Sequence, residues 1–408
     1  MRAKKFLKRA GLGTLAGIIG LHLATQTRHG IEEAYNSMYP SPQRVAFEER
    51  FDVPIHGSRS NLEGNDKYFF MIADVLARER AIGDIPLDEI TIRDSNYLNL
   101  GLLDQWRRLI FRPISGKYCD DRITLLDNVS HQTVHHELAH ARMFDILEDH
   151  PELLKRWSAI AVDENGETQY MDPRSRFMRR FRVLASFVSE EPRAEHDGFV
   201  SNYARTNILE DIAELCAEAA MSPQFVTGQI LSDNPDERLA RKVALAQEYG
   251  LIPPEFMEFA GLERYYQSCF LGASMLFDQN KSLQYLEFSR EFLSLNPDSV
   301  YASEVLVNRA FFMYNMALSR HPPCTVADAI NEYYAALDTA YASPMMCLVV
   351  LDRLHDIFAY HDPEHADAFR LAYDEYARRM EAGDVTLTGQ STMGILRDYG
   401  VDISRERN

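Results

Sequence analysis

Four histidines and one glutamate fall within HQTVHHELAH, residues 131–140. His136 and His140 stand four apart, and Glu137 directly follows the first. On a helix, residues at i and i+4 share one face about one turn apart. Two imidazoles placed that way reach a single tetrahedral zinc ion. Glu137 is rotated by about 100° from His136, so it projects beside the metal rather than at it. From there it can take a proton from zinc-bound water, whose pKa the metal lowers to about 7. The pattern predicts zinc as cofactor, His136 and His140 as ligands, and Glu137 as general base. A second i, i+4 pair, His131 and His135, has Gln132 where a base would stand. It is assigned no chemistry and is expected on the surface or behind the ligands.

A hydrolytic zinc site needs a third protein ligand. The extended pattern H-E-x-x-H-x-x-G-x-x-H is excluded, because Met143 and Ile146 occupy its glycine and last histidine. The other source is a glutamate on a later helix. GFVSNYARTNILEDIAELCAEAA, residues 198–220, offers Glu210, Glu214 and Glu218 at four-residue spacing along one face. Glu218 lies two turns beyond Glu210, roughly 12 Å along the axis, too far to share its role. Asp211 is rotated by about 100° and should face away. Ala213, Ala217 and Ala219 make this helix small enough to lie close against the histidine helix. Asn207 and Glu210 also match a capping box, and a Glu210 side chain folded back onto Asn207 would not reach a metal.

H-E-x-x-H followed by Y-A-x-x-N-x-x-E-D-x-A-E, residues 203–214, resembles the gluzincin-type zincin metallopeptidases. Within them the arrangement is most similar to the anthrax lethal factor catalytic domain and its bacterial relatives. The resemblance covers about residues 120–220. It implies Glu210 as third zinc ligand and Glu214 as the outer partner of a ligand histidine. It also implies Tyr203 as the hydrogen-bond donor to the tetrahedral oxyanion. Seventy positions separate His140 from Glu210, which implies an inserted helical excursion between the two motifs.

The elements that must position these residues follow from periodicity. KYFFMIADVLARERAI, residues 67–82, has the helical period. EITIRDS, 89–95, and DRITLLDN, 121–128, alternate as strands. Asp127, Asn128 or Ser130 can cap a following helix over about 130–148. DRITLLDN is expected at the sheet edge, where an extended peptide substrate can pair. SRFMRRFRVLASFV, 175–188, reads as a basic helix. Beyond about 235 the chain is nearly all amphipathic helix broken by short loops. SVYASEV (299–305) and TAYASPM (339–345) echo each other forty residues apart. That spacing suggests helical hairpins loosely resembling tetratricopeptide repeats, or a plain helical bundle.

The expected class is therefore α+β and mostly helical. Residues 1–25 form a signal sequence or anchor and 26–65 a lead-in. A zincin-like domain with a small sheet spans 66–232, an all-α helical-hairpin domain spans 233–385, and 386–408 form a tail. The start carries Arg2, Lys4, Lys5, Lys8 and Arg9, then the apolar AGLGTLAGIIGLHLAT, residues 10–25. This layout reads as an export signal or signal anchor, placing the body outside the cytoplasm. The 61 acidic against 43 basic residues give a net charge of −18, which argues against binding nucleic acid through its phosphates. Five scattered cysteines without C-x-x-C imply neither a disulfide framework nor a thiolate zinc cluster, and suit small buried positions. The expected function is a zinc metallopeptidase acting on a peptide or protein, with the helical part available to a protein partner. The rival is an inactive zincin-like binding protein working through that helical part. An intact Glu137 speaks against the rival.

Overall fold

Apolar and polar residues alternate in Ile90-Thr91-Ile92 and again in Ile123-Thr124-Leu125. Both stretches form strands that bury their aliphatic side chains on one face. The computed structural model describes residues 41–57, 66–93, 116–126 except 120, 129–170 except 163, 164, 166 and 167, 197–270 except 202, 278–319, and 323–401 except 340. The N-terminal segment 1–25 and the basic stretch 175–188 lie outside the described residues. No helix among the described residues is long and apolar enough to cross a membrane.

Strands β1 (Ile55–Gly57), β2 (Glu89–Arg93), β3 (Gly116–Cys119) and β4 (Arg122–Leu126) make one sheet in the order β1-β2-β4-β3. β1, β2 and β4 are parallel, with Ile55, Ile90 and Ile123 in register. β3 is antiparallel to β4 and forms the outer strand among the described residues. The expected edge was DRITLLDN, but β4 lies inside the sheet, between β2 and β3. Alternation reports which face of a strand is buried. It carries no information about which strand has a free side.

Three helices cover the apolar face. They are α1 (Pro42–Phe51), α2 (Asp66–Ile82) and α3 (His131–Asp149). Phe47, Phe51, Phe69, Ile72, Leu76, Val134 and Leu138 join the strand residues in one core. Ser41 caps α1, with Pro42 at its first position, and Ser130 caps α3 through Thr133 N–H. The stretch 26–65, read as a lead-in, thus supplies a helix and a strand of the sheet core from residue 42 onward.

After α4 (Glu152–Ile160) the described helices run in succession. They are α5 (Ile208–Met221), α6 (Pro223–Ile230), α7 (Glu237–Glu248), α8 (Phe256–Ser268), α9 (Gln279–Leu295) and α10 (Ala302–Ala317). Then come α11 (Val326–Leu337), α12 (Pro344–His361), α13 (Pro363–Glu381) and α14 (Gly389–Asp398). From α8 to α14 each helix packs on the next. The two echoing segments open α10 and α12, the first helices of the pairs α10–α11 and α12–α13. Their tyrosines both dock on α2, one turn apart. Tyr341 OH donates to Asp74 Oδ1 at 2.9 Å, and Arg78 lies 5.7 Å over the Tyr301 ring.

The boundary expected at 232/233 does not divide the packing. Ala139, Met143, Trp157, Ile212 and Cys216 share one core with Leu239, Val243, Phe256, Phe259 and Tyr285. Residues 386–408, read as a tail, instead include α14, whose Met393, Ile395 and Leu396 are buried with Leu387 among α10–α13. All five cysteines are free. Cys216, Cys269 and Cys347 are buried as expected, Cys324 is partly buried, and Cys119 on β3 is exposed.

Candidate metal centre

α3 and α5 lie side by side and antiparallel, and their contacts step in fours. Glu210 meets His136 and His140, Glu214 meets His136, and Glu218 meets Gln132. The close approach rests on small residues, since Ala139, Ala213 and Ala217 are fully buried. Asn207 caps α5, accepting from Leu209 N–H at 2.9 Å and Glu210 N–H at 3.2 Å. The reciprocal half of a capping box is not made, because the Glu210 side chain turns to the histidines instead.

Three atoms converge. His136 Nε2 lies 3.0 Å from Glu210 Oε2, His140 Nε2 lies 3.5 Å from the same oxygen, and the two Nε2 atoms are 3.2 Å apart. A tetrahedral ion with bonds of about 2.0–2.1 Å sets its ligand atoms roughly 3.3–3.4 Å apart, so this triangle has the size zinc requires. Two imidazole nitrogens and one carboxylate are also the donor set of catalytic zinc sites. Among the described residues, no other group of three or more such side chains converges.

The surrounding charges favour a cation at that point. Burial would lower the His136 pKa, but the Glu210 and Glu214 carboxylates outweigh it and push it up to about 9. Glu210, despite its own burial, is held down to about 2 by His136 and His140. Glu214 Oε1 stands 3.0 Å from His136 Nδ1, and its other oxygen accepts from Ser201 Oγ at 2.6 Å. The contact is an ion pair rather than an aligned hydrogen bond, and it leaves Nε2 facing the triangle. His140 Nδ1 has no hydrogen-bond partner among the described residues.

Glu137 is buried beside the cluster. Burial raises its pKa, and His136, His140 and the backbone of Tyr118 on β3 oppose this. The Tyr203 ring lies 5.9 Å from that of His136, and Glu210 is near enough to act on its hydroxyl. Desolvation and the Glu210 and Glu137 charges raise the Tyr203 pKa, so it stays a protonated donor at neutral pH. Half its surface remains open to solvent.

All six residues read from the sequence as site groups therefore meet: His136, Glu137, His140, Tyr203, Glu210 and Glu214. Asp211 points the other way, as its rotation demands. Its Oδ2 accepts from Trp157 Nε1 at 2.8 Å and Tyr170 OH at 2.7 Å, and pairs with Lys242 Nζ at 2.7 Å. His131 is exposed. His135 departs from expectation, since it is neither on the surface nor against a ligand. It is buried with Nδ1 2.6 Å from Glu79 Oε1, and Arg142 Nη1 lies 2.9 Å from the other Glu79 oxygen. This ion cluster ties α3 to α2. Sequence reasoning missed Glu79, Arg142 and Ser201, because no local spacing links them to their partners.

No family model, curated protein or solved structure matches this chain.

Proposed function

We propose that the chain is a zinc-dependent metallopeptidase of the gluzincin type. The sheet, α2, α3 and α5 would form its zincin-like catalytic part, and the helices from α8 onward a hairpin array open to a protein partner. One observation carries the reading. His136 Nε2, His140 Nε2 and Glu210 Oε2 converge at zinc-ligand separations, with a buried carboxylate, Glu137, beside them.

When bound, zinc polarises the scissile carbonyl and makes water a better acid. The protein's own groups do the rest. Glu137 accepts the proton of the attacking water and passes it to the leaving amine. Its raised pKa suits both halves of that transfer. Tyr203 donates to the developing oxyanion, a contact worth roughly 3 kcal/mol in comparable sites. Glu214, anchored by Ser201, keeps His136 oriented.

The substrate reading favours an extended peptide. Among the described residues β3 pairs on one side only, with β4, and the Tyr118 backbone lies near enough to Glu137 to act on its carboxyl. A peptide adding to that edge would run past the general base. The basic and apolar N-terminus supports an exported or anchored location.

The test is metal content and peptide hydrolysis measured on one sample. One zinc per chain with turnover of a peptide library is expected. A zinc-loaded protein inert toward the library would sink the peptidase assignment and favour the inactive binding protein.

A further inference from the structure

Ser201 and Tyr203 reach the metal cluster from the stretch 198–207, which among the described residues pairs with no strand and holds only a short 3-10 turn, Ala204–Thr206. Its shape must be imposed by neighbours. Its later part packs on α5, and its start is held by α7, which belongs to the helical half of the chain. Gly198 N–H donates to Asp236 Oδ2 at 2.9 Å, and Gly198 C=O accepts from Lys242 Nζ at 2.5 Å. Both backbone groups of one residue are thus held by one helix.

The grip is tight and largely dry. Lys242 is only 1 % exposed and pairs with Asp211 of α5, while its Nζ lies 3.8 Å from the centroid of the Phe199 ring. Asp236 uses its second oxygen to cap α7 at Leu239 N–H, 2.9 Å away. Gly198 has φ +80, and a Cβ there would lie 2.7 Å from Arg238 Cβ. Only glycine permits both that backbone and that approach. Three residues on, Ser201 Oγ donates to Glu214 and accepts from Ala204 N–H at 3.0 Å. Tyr203 follows, beside His136.

We propose that Asp236 and Lys242 are positioning residues of the metal centre, holding Gly198 so that Ser201 is delivered to Glu214 and Tyr203 to the ligand cluster. Helix α7 is therefore part of the site's scaffold rather than of a separate partner-binding module. The catalytic half of this inference rests on the metallopeptidase reading. The structural half does not.

Two variants test it in the full-length zinc-loaded chain. Asp236→Asn keeps a capping oxygen for Leu239 but has only one acceptor, so the cap and Gly198 cannot both be served. Lys242→Met combined with Asp211→Asn releases the Gly198 carbonyl without leaving a lone buried charge. Hydrogen exchange at 199–207 should be at least about tenfold faster in both, with the amides of α3 unchanged. Zinc affinity should fall by about tenfold, as the His136 orientation loosens. With an active enzyme, kcat should fall by about ten- to a hundredfold with KM nearly constant. In a Tyr203→Phe background, Asp236→Asn should cost less kcat than it does alone, because part of its effect runs through the same hydroxyl.

Unchanged exchange at 199–207 in Asp236→Asn overturns the proposal, whatever the activity. Full additivity with Tyr203→Phe overturns its catalytic half. If the wild-type chain cleaves no peptide, the metallopeptidase reading fails, and exchange with zinc affinity still decides whether α7 positions the metal centre.

Discussion

Zinc binding should be strongly pH-dependent, with a size set by His136. In the metal-free protein Glu210 and Glu214 hold a proton on this ring, with a pKa of about 9. A ligand nitrogen must be neutral, so that proton has to leave when zinc arrives. At pH 7 a group of pKa about 9 is protonated in all but about one molecule in a hundred. Zinc affinity should therefore be about a hundredfold weaker at pH 7 than above pH 9, about 3 kcal/mol, and rise about tenfold per pH unit between. Glu214→Gln keeps an acceptor near Nδ1 but removes its charge, so the His136 pKa should fall and the slope flatten. Chelator competition across pH 6.5–9 measures this, and calorimetry in buffers of different ionisation enthalpy counts the released proton. Stability of the zinc-free protein gives an independent check. The His136 pKa is raised above its ordinary 6.5, so its contribution is complete below pH 6.5 and is lost as pH rises through about 9. Glu210 has the opposite sign. It is lowered from 4.5 to about 2, so its contribution is complete above pH 4.5 and is lost as pH falls toward 2. The zinc-free Tm should decline from pH 6.5 to 9 and the decline should shrink in Glu214→Gln. A zinc affinity that stays flat over pH 7–9, with no proton released, would refute the assigned cluster electrostatics.

Glu137→Gln should retain one zinc per chain and lose nearly all peptide hydrolysis, since an amide cannot take the proton. Metal loss or intact turnover would remove Glu137 from its role. Glu210→Ala should abolish tight zinc binding, whereas Glu214→Ala should weaken it only about 10–100-fold. The reverse order would make Glu214 the ligand. Truncation after residue 385 removes buried Leu387, Met393, Ile395 and Leu396, so the product should melt far lower or aggregate. An unchanged Tm would mean that α14 is dispensable. A C-terminal fusion to an enzyme active only in the cytosol should stay silent in cells, and strong reporter activity would argue against export.

The sequence by itself determined what is local. The four-residue spacing of His136 and His140 puts both rings on one face because the helix period is fixed. The same period orders Glu210, Glu214 and Glu218 along α5 and turns Asp211 away from them. Ser130 and Asn207 mark helix starts because their side chains satisfy nearby N–H groups. What only tertiary structure decided is which partner each face meets. Glu210 had two self-consistent placements, folded back on Asn207 or turned outward, and the packing of α3 against α5 turns it to His136 and His140. His135 is next to His136, yet the 100° turn sends it to Glu79 on α2. β4, expected at the edge, lies inside the sheet beside β3, a strand that spacing had not marked, since strand order depends on the path of the chain and not on alternation. The grip of α7 on Gly198 spans about forty positions of sequence and leaves no period to read. Local geometry repeats every turn and is therefore written in spacing, whereas a long-range contact is one meeting of two surfaces, fixed only when the whole core closes.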